Sequence, residues 1–213
     1  MSSTRDTYRV AVACSDELLR AAYELRHEVF YLEQGYDEDR EVDSLDEVSV
    51  PLVLLRERDQ AVVGVMRIVP YPVPREEVPF YTRAQIAGGL LPGRGRSEAD
   101  MAQQFVAAQT TTLSGSTLTY SGGKLGRIAI SRQARGQGCG TILVSAAEQW
   151  MISALRAAQR PDGVTHVETK SQLSSQKIAL RFYESQNYVT QGATYLEEGQ
   201  PHIFCVKPLT VYS

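Results

Sequence analysis

Residues 124–141 read KLGRIAISRQARGQGCGT. The first seven, KLGRIAI, end in the apolar run of a buried strand. A glycine-rich turn follows: Arg135, Gly136, Gln137, Gly138, Cys139 and Gly140. From Thr141 onward, Ile142, Leu143, Ala146, Trp150 and Leu155 supply the apolar side of a helix expected over about 141–159. Small residues at such a turn let the backbone curl until several N–H groups converge on one concavity, and the helix adds the positive end of its dipole. A phosphate or pyrophosphate suits that nest. A tight turn that needs glycine only for steric room explains the same residues, and both explanations stand at this level. Two nucleotide motifs are excluded. The chain lacks GxxxxGK followed by Ser or Thr, and Gly136, Gly138 and Gly140 are spaced two and two, unlike a dinucleotide fingerprint.

Upstream, residues 8–14 (YRVAVAC) alternate as a strand does, and Ser15 can cap a helix with Asp16 and Glu17 in its first turn. Leu18, Leu19, Ala22, Leu25, Val29 and Phe30 recur at helical spacing, and Gly35 closes that element. Residues 37–47 hold seven acids against one arginine. They are expected as a surface loop or short helix, a negative rim able to steer a cationic amine. Strands are expected at 51–57 and 61–69, joined as a hairpin through 58–60. Pro70, Pro72 and Pro74 then end regular structure. Residues 71–123 read as an insertion within one domain, with a helix near 99–109 and a loop or extra strand over 110–123. Downstream come a turn at 161–163, a short strand at 164–169, a helix over 175–185, and strands at 189–195 and 202–207. The whole chain, 1–213, is expected to be one α/β or α+β domain with mixed strands.

Composition narrows the function classes. Of 213 residues, 43% are hydrophobic and 22% charged, as in ordinary globular proteins. A formal charge of −3 weighs against a nucleic-acid partner. No apolar run reaches the roughly 18 residues of a membrane span, and the polar start, residues 1–9, lacks an apolar signal core. A cytoplasmic setting is therefore expected. Cys14, Cys139 and Cys205 are odd in number and widely spaced, so they suggest neither a disulfide framework nor a metal knuckle, and two of them are expected as small core residues. The three histidines are dispersed, which gives no case for a metal site.

The glycine turn resembles the Arg/Gln-x-x-Gly-x-Gly/Ala signature of the GCN5-related N-acetyltransferase (GNAT) superfamily, with Arg135, Gly138 and Gly140 at its fixed positions. Ser175-Gln176, Ala179, Phe182-Tyr183 and Asn187-Tyr188 resemble that family's Asn/Gln-x-x-Ala-x-x-Phe-Tyr helix. Asn187-Tyr188 stands where Gly-Phe is usual, a mild change because Asn tolerates the left-handed conformation. LRHEVFYLEQ at 25–34, with Glu41 and Asp43 after it, resembles an ElaA-like bacterial subgroup, as do Glu198-Gly199, Pro201 and His202. The resemblance leaves out 71–123.

It implies the GNAT acyl-CoA N-acyltransferase fold, a central mixed sheet with helices on both faces. It implies acetyl-CoA as co-substrate. Backbone N–H groups from Arg135, Gly136, Gln137, Gly138, Cys139, Gly140 and Thr141 would hold the pyrophosphate. The edge of Ile128, Ala129 and Ile130 would pair with the pantetheine arm, and Gln176 joins the cofactor residues. The acetyl group would pass directly to a primary amine, a small cationic amine or polyamine if the acidic rim is real. Tyr183 is the leading proton donor to the departing thiolate, with Phe182 packed into the core. Glu33 and His202 are candidates to receive the amine proton. The expected partner is a small-molecule amine, with no nucleic acid and no membrane, on a monomer or homodimer. The alternatives are a non-catalytic acyl-CoA-binding or sensing protein and an acyl-homoserine-lactone synthase-like enzyme.

Overall fold

The computed structural model describes residues 6–73 and 78–212, so Pro74 and part of both the N-terminal stretch and the 71–123 segment lie outside the described residues. The described chain opens with β1 (Tyr8–Val12), α1 (Asp16–Arg26), a π-helical turn (His27–Glu33) and a 3-10 turn (Glu38–Arg40). Next come β2 (Val42–Asp43), α2 (Leu45–Val48), β3 (Val50–Arg56), β4 (Val62–Pro70), β5 (Phe80–Tyr81), α3 (Arg83–Ala87) and α4 (Glu98–Ala107). The hairpin β6 (Thr111–Ser114) and β7 (Thr117–Tyr120) precedes β8 (Gly123–Ile130), a 3-10 turn (Arg132–Ala134) and α5 (Cys139–Arg156). Last are β9 (His166–Gln176), a 3-10 turn (Lys177–Ala179), α6 (Leu180–Ser185), β10 (Val189–Glu197) and β11 (Gln200–Tyr212). These elements make two compact units, one of residues 6–67, 78–101 and 127–146, the other of 68–73, 102–126 and 147–212. The 71–123 segment thus contributes to both.

The first unit follows the strand path β1-β3-β4-β8. β1 lies antiparallel to β3 with Val10 opposite Leu54. The β3–β4 connection turns at Gln60, which takes φ 57°, and the Arg56 N–H donates to the Ala61 carbonyl at 2.9 Å. Ser15 caps α1 by accepting from the Leu18 N–H. Leu19, Ala22, Tyr23 and Leu25 of α1 share a buried cluster with Val53, Leu55, Val65 and Ala129. Each such aliphatic side chain contributes about 1.5–3 kcal/mol by leaving water. The apolar spacing that reads as one helix through Phe30 continues as the wider π-helical turn, and Gly35 at φ 74° ends it.

The second unit runs β8-β9-β11-β10, with β7 also on β9. β7 and β8 are parallel to β9 and β11 is antiparallel, so the sheet is mixed, as expected. The β10–β11 hairpin turns at Glu198 and Gly199, both with positive φ, the requirement of a type I′ turn. Residues 175–185 are not one helix. β9 extends through Gln176, paired with His202 of β11, and α6 begins only at Leu180. β9 is also far longer than the strand expected at 164–169. Its inward positions include Thr169 and Ser171, at 1% and 0% exposure, so polar residues interrupt the apolar alternation that would mark it. Of the loop or extra strand expected over 110–123, the structure has strand: residues 111–120 form a hairpin.

Gly122 at φ 84° leads into β8, and a Cβ built on it would lie 1.9 Å from the Lys170 carbonyl oxygen. Gly122→Ala is expected to destabilise the fold by about 3 kcal/mol or more. Urea denaturation at neutral pH reads the loss directly.

Candidate functional site

The RGQGCG turn shows how its residue rhythm works. Gly136 and Gly138 take φ 74° and 82°, and a Cβ built on either meets nothing within 4 Å. The residues between them are anchored. Arg135 Nε donates to the Ile130 carbonyl at 2.9 Å, and its Nη2 lies 2.7 Å from Glu33 Oε2. Gln137 accepts from the Tyr8 hydroxyl at 2.6 Å and donates to the Gln133 carbonyl at 2.9 Å. Cys139 is buried. With alternate side chains held by the protein, the amides of Gly136, Gln137, Gly138, Cys139, Gly140 and Thr141 have no carbonyl acceptor among the described residues; the Ile142 N–H is the first to be taken, by the Gly138 carbonyl. Six donors without a carbonyl partner, at the start of an 18-residue helix, make a concavity suited to a phosphate. Burial pushes the Cys139 thiol up, which leaves it a poor nucleophile.

The strand leading into the turn has its own irregularity. Arg127 takes φ 51° inside β8, a conformation rare for a non-glycine residue and one that breaks the pleat there. Of the expected pantetheine edge, Ala129 is buried while Ile128 and Ile130 are half-buried, and the Ile130 carbonyl is already occupied by Arg135.

Arg127 reaches into an ion cluster that the sequence does not announce. The Arg26 guanidinium meets Glu41 at 2.6 Å and Asp46 at 2.8 Å. Arg67 grips Asp43 with two bonds of 2.6 and 2.8 Å and meets Asp46 at 2.9 Å. Arg127 donates to the Glu41 carbonyl at 3.1 Å and lies 3.5 Å from Asp43. Three arginines face three carboxylates, so the set is neutral. This corrects the expectation of an acidic surface rim. Glu41, Asp43 and Asp46 are all buried, leaving Asp37, Glu38, Asp39 and Glu47 nearer the surface. The partners come from α1, β4 and β8, so the pairing is a long-range fact that local charge density hides. Burial pushes the Asp46 carboxyl up, but Arg26 and Arg67 outweigh it and hold the group below the usual aspartate range. Burial lowers Arg26 too, and Asp46 and Glu41 more than reverse that.

Three further sequence-derived candidates lie in the second unit. Tyr183, and not Phe182, is the buried member of its pair, the reverse of the expected packing. Their rings meet edge to face at 5.0 Å. Burial raises the Tyr183 hydroxyl above its ordinary value. The group therefore stays protonated and is better suited to donating a hydrogen bond than to surrendering its proton. Asn187 adopts φ 67°, the left-handed position expected of it. His202 Nδ1 lies 2.9 Å from the Gln200 carbonyl. A carbonyl only accepts, so Nδ1 carries the hydrogen and neutral His202 keeps its lone pair on Nε2. Gln176 stands opposite His202 in the β9–β11 register. Cys205 is buried, whereas Cys14, at the end of the YRVAVAC run, is exposed and is not a core residue.

Two family models, each described as an acetyltransferase (GNAT) domain, match residues 25–145 and 93–206. Similar solved structures include an acyl-CoA N-acyltransferase from Pseudomonas aeruginosa, at 23% identity over 95% of this chain and 99% of that one, TM-score 0.55. Escherichia coli ElaA is 17% identical over 95% and 99%, TM-score 0.50. BjaI, a CoA-dependent acyl-homoserine lactone synthase solved with SAM and isopentyl-CoA, is 18% identical over 94% and 82%, TM-score 0.53. At these identities the likeness is one of fold. Among the described residues no helix is long and apolar enough to cross a membrane.

The ion cluster makes a pH prediction. A carboxyl held below its ordinary value contributes stability above an unfolded pKa of about 3.9, and that contribution is lost as pH falls toward the folded value. Asp46→Asn should therefore cost about 3 kcal/mol at pH 7, by leaving two buried guanidiniums undercompensated. It should also flatten the fall in stability below about pH 4. Urea titrations of both proteins at pH 7 and at pH 3 check the two effects together.

Proposed function

The chain belongs to the GNAT acetyltransferase family, and from that premise we propose that it moves an acyl group, acetyl in the first instance, from acyl-CoA directly to a primary amine. The observation that carries the proposal is the run of uncommitted amides from Gly136 to Thr141. The site offers donors, and the two outward glycines leave room for a pyrophosphate to approach. The half-buried edge at Ile128 and Ile130, with Ala129 between them, is the proposed track for the pantetheine arm.

The chemistry needs little covalent machinery. The lone pair of a neutral amine attacks the thioester carbonyl and forms the C–N bond. The C–S bond breaks and the electron pair leaves on sulfur. The amine proton passes to a base, and the thiolate gains a hydrogen bond and then takes a proton from solvent. Tyr183 is proposed as the group that donates to the sulfur. His202 Nε2, free to accept in the neutral ring, is the preferred proton acceptor.

A second choice of substrates has one specific support. Three of the seven acids expected to steer a cationic amine are spent on Arg26, Arg67 and Arg127, so the acceptor need not be a polyamine. The fold likeness to a lactone synthase solved with SAM and isopentyl-CoA makes a longer acyl donor and an amino-acid-like amine the second reading. Native mass spectrometry with acetyl-CoA, isopentyl-CoA and an amine panel that includes SAM separates the two. CoA binding with no product across the panel would favour a binding or sensing role.

Two substitutions test the site. Gly138→Asp places a side chain where φ is positive and a negative charge where the phosphates would lie, and should weaken CoA binding by about 100-fold or more in calorimetry. Tyr183→Phe should lower kcat by about 10- to 100-fold while leaving the CoA Kd within about twofold. Equal turnover of the Phe variant and the wild type would remove Tyr183 from the reaction.

A further inference from the structure

Glu33 ends the π-helical turn, and in sequence it stands 102 positions from Arg135. In space its Oε2 is 2.7 Å from Arg135 Nη2 and 3.9 Å from Arg132 Nη2. The other hold on Arg135 is the bond from Nε to the Ile130 carbonyl. A guanidinium is planar and carries five N–H donors. Two of its edges are engaged here, and among the described residues nothing accepts from Nη1. The exposures differ in an instructive way: the Glu33 side chain is 14% exposed and that of Arg135 43%. The carboxylate is thus the more buried partner and the guanidinium the more exposed one, on the residue that precedes the run of amides.

This arrangement bears on two opposed roles. A general base needs a lone pair available to a proton, and the Glu33 oxygen nearest the turn is committed to a charge-assisted bond. A competitor for the arginine would be more exposed than the guanidinium it holds and would repel a phosphate, whereas Glu33 is the more buried of the two. What remains is restraint. A long arginine side chain loses rotamer freedom when it binds an anion, and a partner that has already fixed it reduces that loss. The Tyr8 hydroxyl acts on Gln137 from β1 in the same way, so the two longest side chains of the turn are each tied to a different element.

We propose that Glu33 is a positioning residue of the acyl-CoA cradle, fixing Arg135 with its free Nη1 edge toward the phosphates, and that it is not the base of the reaction. The inference rests on the acyl-CoA reading of the site. It moves Glu33 from the amine side of the chemistry to the cofactor side.

The test uses CoA alone as probe, with calorimetry on the full chain, and steady-state kinetics beside it. Glu33→Gln should raise the CoA Kd about 3- to 10-fold, the range of a partly exposed ion pair. Glu33→Asp should recover part of that loss. Arg135→Gln should show a loss at least as large, and the double variant should lose no more than Arg135→Gln alone. At saturating acyl-CoA, kcat and its pH profile should be those of the wild type in Glu33→Gln. Tighter CoA binding by Glu33→Gln would overturn the proposal, because Glu33 would then be competing with the ligand. Unchanged binding with kcat reduced 100-fold or more and the acid limb of the profile gone would overturn it in favour of a base. A wild-type protein that binds no CoA would remove the acyl-CoA reading and this inference together, whereas wild-type binding with no response to Glu33→Gln removes the inference alone.

Discussion

A backbone can offer six consecutive amides to a ligand only if everything around them is held in place without using them. That constraint organises the first unit. Arg135, Gln137 and Cys139 are fixed by Glu33 and Ile130, by Tyr8 and Gln133, and by burial respectively. Gly136 and Gly138 supply the backbone angles that let the anchored residues alternate with open ones. Gly64 of β4 contributes from beneath, where a Cβ would come within 2.9 Å of Ile130 and 3.0 Å of Leu143. Its absence lets the end of β8 and the first turns of α5 sit close to the sheet. Removing any of these supports would not delete a donor, yet it would allow the amides to find partners of their own.

The buried ion cluster places a comparable demand on the same unit. Pairing Arg26, Arg67 and Arg127 with Glu41, Asp43 and Asp46 takes five charged groups out of water and half-buries Arg127. The cost of moving each one is several kcal/mol, and only dense hydrogen bonding offsets it. The bonds are dense: the Asp43 N–H donates to Asp46, the Leu45 N–H donates to Asp43, and Arg26 also reaches the Glu41 carbonyl. One buried donor, Arg67 Nε, has no partner among the described residues. Because α1, β2, α2, β4 and β8 each contribute at least one member, the cluster sets how these elements meet more narrowly than apolar packing would. It also holds Arg127 in the left-handed conformation that interrupts β8 just before the residues leading to the glycine turn.

The sequence disclosed local order well and long-range pairing poorly. KLGRIAI, the RGQGCG turn and the apolar side of α5 were legible because strand alternation, glycine rhythm and helical spacing are all local. Ser15, Gly35 and Asn187 were legible as punctuation for the same reason. The length of β9 is hidden because Thr169, Ser171 and Ser175 face inward as polar residues, and the same residues obscure where α6 begins. The acids of 37–47 suggested a solvated rim because nothing local shows that Arg26, Arg67 and Arg127 converge on three of them. Tyr8 gave no sign of its role, since a hydroxyl that anchors a turn 129 positions away looks like any strand tyrosine.

The most direct test of the cradle follows the backbone amides of Gly136, Gly138 and Gly140 in a proton–nitrogen NMR spectrum while CoA is added. The account predicts that these three signals move together, downfield in the proton dimension, along a single saturation curve with the affinity found by calorimetry. CoA binding that leaves all three unmoved while signals elsewhere in the chain shift would contradict it.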